Sequence, residues 1–118
     1  MRISVYVLAL IFFASGMAKL LSLQFEVDAF ARWQYPIYFM YLVGVVEIIG
    51  AIGLLIPRFS ALASLCLAGF MLGAVGTHFV HREWVMLVVA SVIALVALWQ
   101  GWSGRDVVAQ LFSRGKPK

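Results

Sequence analysis

Residues 37–56 read IYFMYLVGVVEIIGAIGLLI, twenty consecutive positions interrupted by a single charge, Glu47. Wound as a helix at about 1.5 Å per residue, this run covers about 30 Å, the thickness of a bilayer's hydrocarbon core. Pro57 closes it. Three more apolar runs of similar length surround it: Ile3 to Leu23, Phe59 to Val80 and Trp84 to Gly101. The predicted fold is all-α, a bundle of four transmembrane helices forming one domain over residues 1–118.

Composition agrees with this reading. Hydrophobic residues make up 64% and charged residues 12% of the chain, with a mean hydropathy of +1.02, against about 45–50% and about 25% in soluble domains. Four spans leave no room for a soluble catalytic module in 118 residues, so any function sits in the bundle or at its rims. The net charge of +4 does not point to nucleic acid. Lys19 lies inside a span, and the other basic residues fall in connections and tails, where the positive-inside bias places them. Cys66 is the single cysteine; an intramolecular disulfide, a CxxC redox motif and a thiolate metal cluster are excluded, and it reads as a small apolar helix residue.

Arg2, Arg58, Arg105, Arg114, Lys116 and Lys118 fall on one side of the bundle, and Arg32 and Arg82 on the other. Both termini are therefore predicted to be cytoplasmic. Trp84 and Trp99, about 22 Å apart along a helix, place one indole at each interface of the fourth span. The first run also imitates a signal peptide, with Arg2, an apolar stretch and small residues Ala14, Ser15 and Gly16, but Lys19 beside Gly16 suits packing, and the run is read as a span. The link from Gln24 to Pro36 interleaves Phe25, Phe30 and Trp33 with Glu26, Asp28 and Arg32. It predicts a short amphipathic helix on the outer surface, ended by Pro36. After the fourth span the tail, 102–118, offers a weak amphipathic turn (Val107, Val108, Leu111, Phe112) before a basic end.

Lys19 and Glu47 are the charges that matter most, because each costs at least about 2.5–3.5 kcal/mol near the bilayer centre. By residue count Lys19 lies about 24 Å above the cytoplasmic boundary and Glu47 about 13 Å above it. Helical side chains lean toward the N-terminus, so Lys19 leans down while Glu47, on a descending helix, leans up. The two charged ends are expected to meet. Gly16 and Ser15 share a face with Lys19, and Gly44, Gly50 and Ala51 with Glu47, small residues that let backbones approach in lipid. Such a pair either locks two helices together or binds a polar ligand head and relays a proton; both readings stand.

His78 sits near the outer end of the third span. The stripe Gly69, Gly73 and Gly76 is expected to pack against a neighbouring helix, and at about 100° per residue His78 points nearly opposite to it. If the glycines face inward, His78 faces lipid head groups or another subunit. His81, Arg82 and Glu83 are expected to be solvated in the outer loop. His78, His81 and Glu83 are too weak a pattern for a metal site, a haem on His78 and Met71 is not expected, and no glycine-rich phosphate loop, serine triad or HExxH is present.

Three segments in this order, FFASGMAKLLS (12–22), YPIYFMYLVGVVEIIGAIGLLIPRFS (35–60) and GFMLGAVGTHF (69–79), resemble the DoxX-like family of small four-helix membrane proteins. The resemblance covers nearly the whole chain and rests on Gly16-x-x-Lys19, on Glu47 with the following Gly50-Ala51-x-Gly53-Leu54-Leu55-x-Pro57, and on Thr77-His78. It implies a compact bundle, with Lys19, Glu47 and His78 at the family's polar intramembrane positions, and a bacterial inner membrane as the location. It also implies an accessory role in a quinone-linked redox system with no intrinsic cofactor, in which a quinone or another small lipophilic molecule sits near Lys19 and Glu47. Lys19 would then hydrogen-bond a developing oxyanion and Glu47 exchange protons, with electrons from a membrane or soluble partner. Lacking paired cysteines, the chain has no dithiol mechanism of its own. Related proteins imply two further uses, a membrane-protein chaperone or assembly factor and a plain binder of lipid; a second copy of the chain is a further candidate partner. Catalysis and binding are both open on these residues.

Overall fold

The computed structural model describes residues 2–112; Met1 and the basic end with Arg114, Lys116 and Lys118 lie outside them, as does the side chain of Arg2. The chain forms α1 (Arg2–Leu20), α2 (Gln24–Arg32), α3 (Ile37–Leu55), α4 (Ser60–Val80), α5 (Trp84–Ser103) and α6 (Arg105–Phe112). α1, α3, α4 and α5 are each long and apolar enough to cross a membrane. The fold is all-α, a four-helix bundle with α2 across one end. The weak amphipathic turn expected in the tail is a helix, α6.

α1 is shorter than the predicted run to Leu23, because Ser22 adopts φ 55° and turns the chain. The N–H of Leu23 then bonds the carbonyl of Ala18 (3.0 Å) and that of Ser22 the carbonyl of Lys19 (3.1 Å), the Schellman closure. α2 ends the same way at Gln34 (φ 64°), with Tyr35 N–H on Phe30 carbonyl at 2.9 Å. Pro36 therefore does not end α2, as the sequence suggested; it is the N-cap of α3. α4 closes at Arg82 (φ 56°), where Glu83 N–H reaches the His78 carbonyl at 2.9 Å. All three closures lie at the α2 end of the bundle. Each puts a non-glycine residue in a conformation costing roughly 1–2 kcal/mol.

α1 packs mainly on α3 and α4 on α5, while the α3–α4 seam joins the two pairs and α1 meets α5 only lightly. Bare backbones let α1 and α3 approach closely. A Cβ on Gly16 would lie 2.8 Å from the Gly44 carbonyl oxygen, and one on Gly44 would lie 3.0 Å from that of Gly16. Gly50 receives Leu67 of α4, and Gly101 of α5 receives Leu65. The expected packing of Gly69, Gly73 and Gly76 does not occur: a Cβ on any of them would meet nothing within 4 Å. α4 can turn only one face to the core, and it turns Ser64, Leu67, Ala68, Met71 and His78, leaving Gly69 and Gly76 outward and Gly73 on the wall of the cavity described below.

The half of the bundle away from α2 is filled by Leu8, Phe12, Leu54, Leu67, Ala94 and Ala97. A polar bridge crosses it. Gln100 of α5, 1% exposed, donates from Nε2 to Ser64 Oγ (2.5 Å) and accepts at Oε1 from Ser4 Oγ (2.7 Å), linking α5, α4 and α1. Such bonds keep polar groups satisfied where water is absent. The half beneath α2 is packed differently, and it holds the site.

The glycine contacts separate two classes of substitution. Gly16→Ala overpacks the α1–α3 seam and should cost about 1–3 kcal/mol, whereas Gly69→Ala should stabilise α4 by up to about 1 kcal/mol, since alanine suits a helix better than glycine. Thermal unfolding of both variants in one detergent reads the difference; equal losses would show that the glycine stripe is packed after all.

Candidate functional site

Lys19 stands in the last turn of α1 and Glu47 in the middle of α3. Their opposite lean closes the difference in height, and Lys19 Nζ lies 2.9 Å from Glu47 Oε1. A third charge, which the sequence reading placed on the outer surface, completes the group: Glu26 of α2 puts Oε2 3.2 Å from the same nitrogen. Ser15, one turn below Lys19, accepts from Nζ (2.7 Å) and donates to Glu47 Oε1 (3.2 Å). Lys19, Glu26 and Glu47 are 8%, 9% and 4% exposed, so one buried ammonium serves two buried carboxylates. Glu26 was legible in principle. It shares a helical face with Phe30 and Trp33 at i, i+4 and i+7, and that face points into the bundle, with Phe30 buried and Trp33 half-buried.

His78 is buried on the inward face of α4, where the glycine stripe was expected to be. The turn at Arg82 folds Glu83 back on it, and Nδ1 lies 2.7 Å from Glu83 Oε1. Glu83 is therefore not a solvated loop residue. It also takes hydrogen bonds from Arg32 Nε (2.8 Å), the last residue of α2, and from Trp33 Nε1 (3.1 Å), its C-cap. Burial raises the Glu83 carboxyl, but the bonds from His78, Arg32 and Trp33 outweigh it and hold the group below its usual 4.5. An ionised carboxylate only accepts, so His78 Nδ1 carries the proton. Beside it, Tyr35 and Thr77 join by their hydroxyls at 3.0 Å, and Trp33 meets the His78 ring edge-on at 5.5 Å. His81, by contrast, is exposed.

α2 is thus fastened at Lys19 by Glu26 and at Glu83 by Arg32 and Trp33. Beneath it lies a cavity of about 700 Å³, a size suited to a small organic ligand. Its roof carries Lys19, Glu26, Glu47, His78 and Trp33; its lower walls are Phe12, Phe70, Met71, Val89 and Ile93. Ile93 stands nine residues into α5 from Trp84, which takes the cavity about 14 Å below the end of that helix. Polar groups above and apolar ones below give the space the character of an amphiphile.

Comparison with known proteins agrees with the order of these residues. A family model for the DoxX-like family matches residues 3–101. The chain belongs to the DoxX-like family. With four helices able to span a bilayer, this DoxX-like chain is an integral membrane protein in contact with lipid. It is similar to a protein of Bacillus subtilis (strain 168) bearing the name Uncharacterized protein YdgD, 30% identical over 94 residues that cover 75% of this chain and 82% of that one. No solved structure matches the DoxX-like chain.

Removing one partner of a buried ion group strands the others. Lys19→Met should destabilise the protein by about 3–5 kcal/mol. Combining it with Glu47→Gln alone still leaves Glu26 unpaired, and only the triple change with Glu26→Gln should recover most of the loss. Unfolding of the three proteins in the same micelle checks the order; full recovery in the double variant would exclude Glu26 from the group. Glu83 sets a pH dependence. Its folded value lies below its unfolded one, so its contribution is complete above about pH 4.5 and is lost as pH falls through the lowered value. Melting temperature against pH should show the wild type ahead of Glu83→Gln at pH 6 and the gap closing under acid; a constant gap would contradict the assignment.

Proposed function

We propose that this DoxX-like protein holds a small lipophilic molecule in the cavity beneath α2, tail among the apolar walls and polar head against Lys19, Glu26, Glu47 and His78. One observation carries the reading: the hollow half of the bundle joins a polar roof to an apolar floor, while the other half is filled by side chains. An intramembrane ionisable group costs stability and marks a functional site by default; here several of them line one space.

The family resemblance supports a quinone as one such ligand, in an accessory role within a membrane redox system whose electrons come from a partner protein. In this reading the protein lies in a bacterial inner membrane with both termini cytoplasmic and α2 at the outer face. A second reading, an assembly factor for other membrane proteins, is favoured by the outward Gly69 and Gly76 of α4, since small residues admit a close neighbouring helix in lipid.

Native mass spectrometry of the protein released gently from its own membranes tests the choice. The expected spectrum contains the chain with one lipophilic adduct, lost in Ala74→Phe, which fills the cavity, and kept in Gly69→Ala, which does not touch it. A bare chain that also fails to bind added quinone or lipid would overturn the proposal, and a co-purifying membrane protein in place of the adduct would favour the second reading.

A further inference from the structure

Charge is segregated along the bundle. Lys19, Arg32 and Arg82 stand with Glu26, Asp28, Glu47 and Glu83 on α2 or in the half beside it, three basic residues against four acidic. Every other Lys, Arg, Asp or Glu in the chain is basic except Asp106. The ion pairs among the described residues all lie in the α2 half. At the opposite end Arg58, in the turn between α3 and α4, and Arg105, at the start of α6, pair with no carboxylate among the described residues.

α6 lies across that end. At the corner between α5 and α6 a Cβ on Gly104 would stand 2.6 Å from that of Ala61, so the bare backbone lets the corner press against the start of α4. At 3.6 residues per turn Val107, Val108 and Leu111 share one side of α6, with Asp106 and Ala109 opposite and Arg105 and Gln110 at the flanks. The bundle covers the apolar side only in part, and no residue of α6 is buried. Between Arg58 and Val107, Gln110 and Leu111 is a hollow of about 200 Å³, less than a drug-sized ligand needs and suited to a phosphate with its glycerol. Aromatic rings mark the depth: the Arg58 guanidinium lies 5.5 Å over Phe59 and that of Arg105 4.9 Å over Trp102. Phe59, Trp99 and Trp102 are all exposed, as in the aromatic belt at the level of lipid head groups.

We propose that the α6 end of the bundle binds an anionic phospholipid, with its phosphate on Arg58 in the hollow and α6 lying in the head-group layer. A guanidinium matches a phosphate with paired hydrogen bonds, and an amphipathic helix with one apolar side rests in the plane of the interface. Arg105, held over Trp102 outside the hollow, adds positive field without touching the phosphate. A zwitterionic lipid brings its own cation and gains little from that field. The site is at the far end of the bundle from the cavity beneath α2, and the inference does not rest on the ligand-binding reading.

Native mass spectrometry of the full-length protein in neutral detergent tests it, by titration with dioleoyl phosphatidylglycerol or dioleoyl phosphatidylcholine. One basic residue near an anionic head group is worth roughly a factor of five in affinity. The first phosphatidylglycerol should therefore bind at least about fivefold more tightly than phosphatidylcholine, and Arg58→Gln should remove that advantage. Arg58→Lys, which keeps the charge, should retain most of it, and Arg82→Gln, an exposed arginine at the α2 end, should leave it unchanged. Phosphatidylglycerol should also raise the melting temperature of the wild type and not of Arg58→Gln. Equal affinities for the two lipids, a preference that survives Arg58→Gln, or one that falls as far in Arg82→Gln would overturn the assignment. Displacement of the lipid by inorganic phosphate would give the hollow to the free anion and overturn it too.

Discussion

A single ammonium, Lys19 Nζ, lies between Glu47 and Glu26 in a place lipid would otherwise make prohibitive for any of the three. The contact can form only if α1 and α3 run close enough for two side chains of opposite lean to meet, and the bare backbones of Gly16 and Gly44 allow it. It also requires α2 to reach inward, because the second carboxylate is carried there. Taking charges out of water is costly, and mutual attraction offsets the cost only when every partner is present. The ion group therefore fixes three helices at once. What it fixes is the roof of a cavity.

The two ends of the bundle solve different problems. Away from α2, small residues and aliphatic side chains interlock, and Gln100 has both its bonding groups satisfied by serines on α1 and α4. Toward α2, the chain spends three left-handed non-glycine turns, two ion groups and an aromatic cluster on a cap over empty space. Strain and buried polarity of this kind persist where the surrounding structure holds them in place, and they concentrate at functional sites. The protein's polar chemistry and its free volume coincide, which is why ligand binding is the reading the geometry favours.

The sequence made the four spans, the amphipathic link and the Lys19–Glu47 approach legible, because run length, proline position and side-chain lean are local properties. Facing was harder to read. When the surroundings are lipid, a helix is apolar on every side, so α4 gave no hydrophobic stripe to orient it, and the glycines of 69, 73 and 76 were read inward when Leu67, Met71 and His78 occupy that side. Glu26 was hidden by the expectation that charges on an interfacial helix face water, although its spacing from Phe30 and Trp33 put it on the buried face. Glu83 had no local signal. Its place depends on the left-handed turn at Arg82, a conformation that arginine does not announce.

The central claim is that the space beneath α2 is a binding site and not a packing defect. A high-resolution density map of the protein purified from its native membrane measures this directly. The account predicts elongated density within the cavity, its head within hydrogen-bonding distance of Glu26 and Glu47 and its tail between Met71 and Ile93. A map in which α2 sinks and Phe12, Phe70 and Met71 close the space, with no density between them, would contradict it.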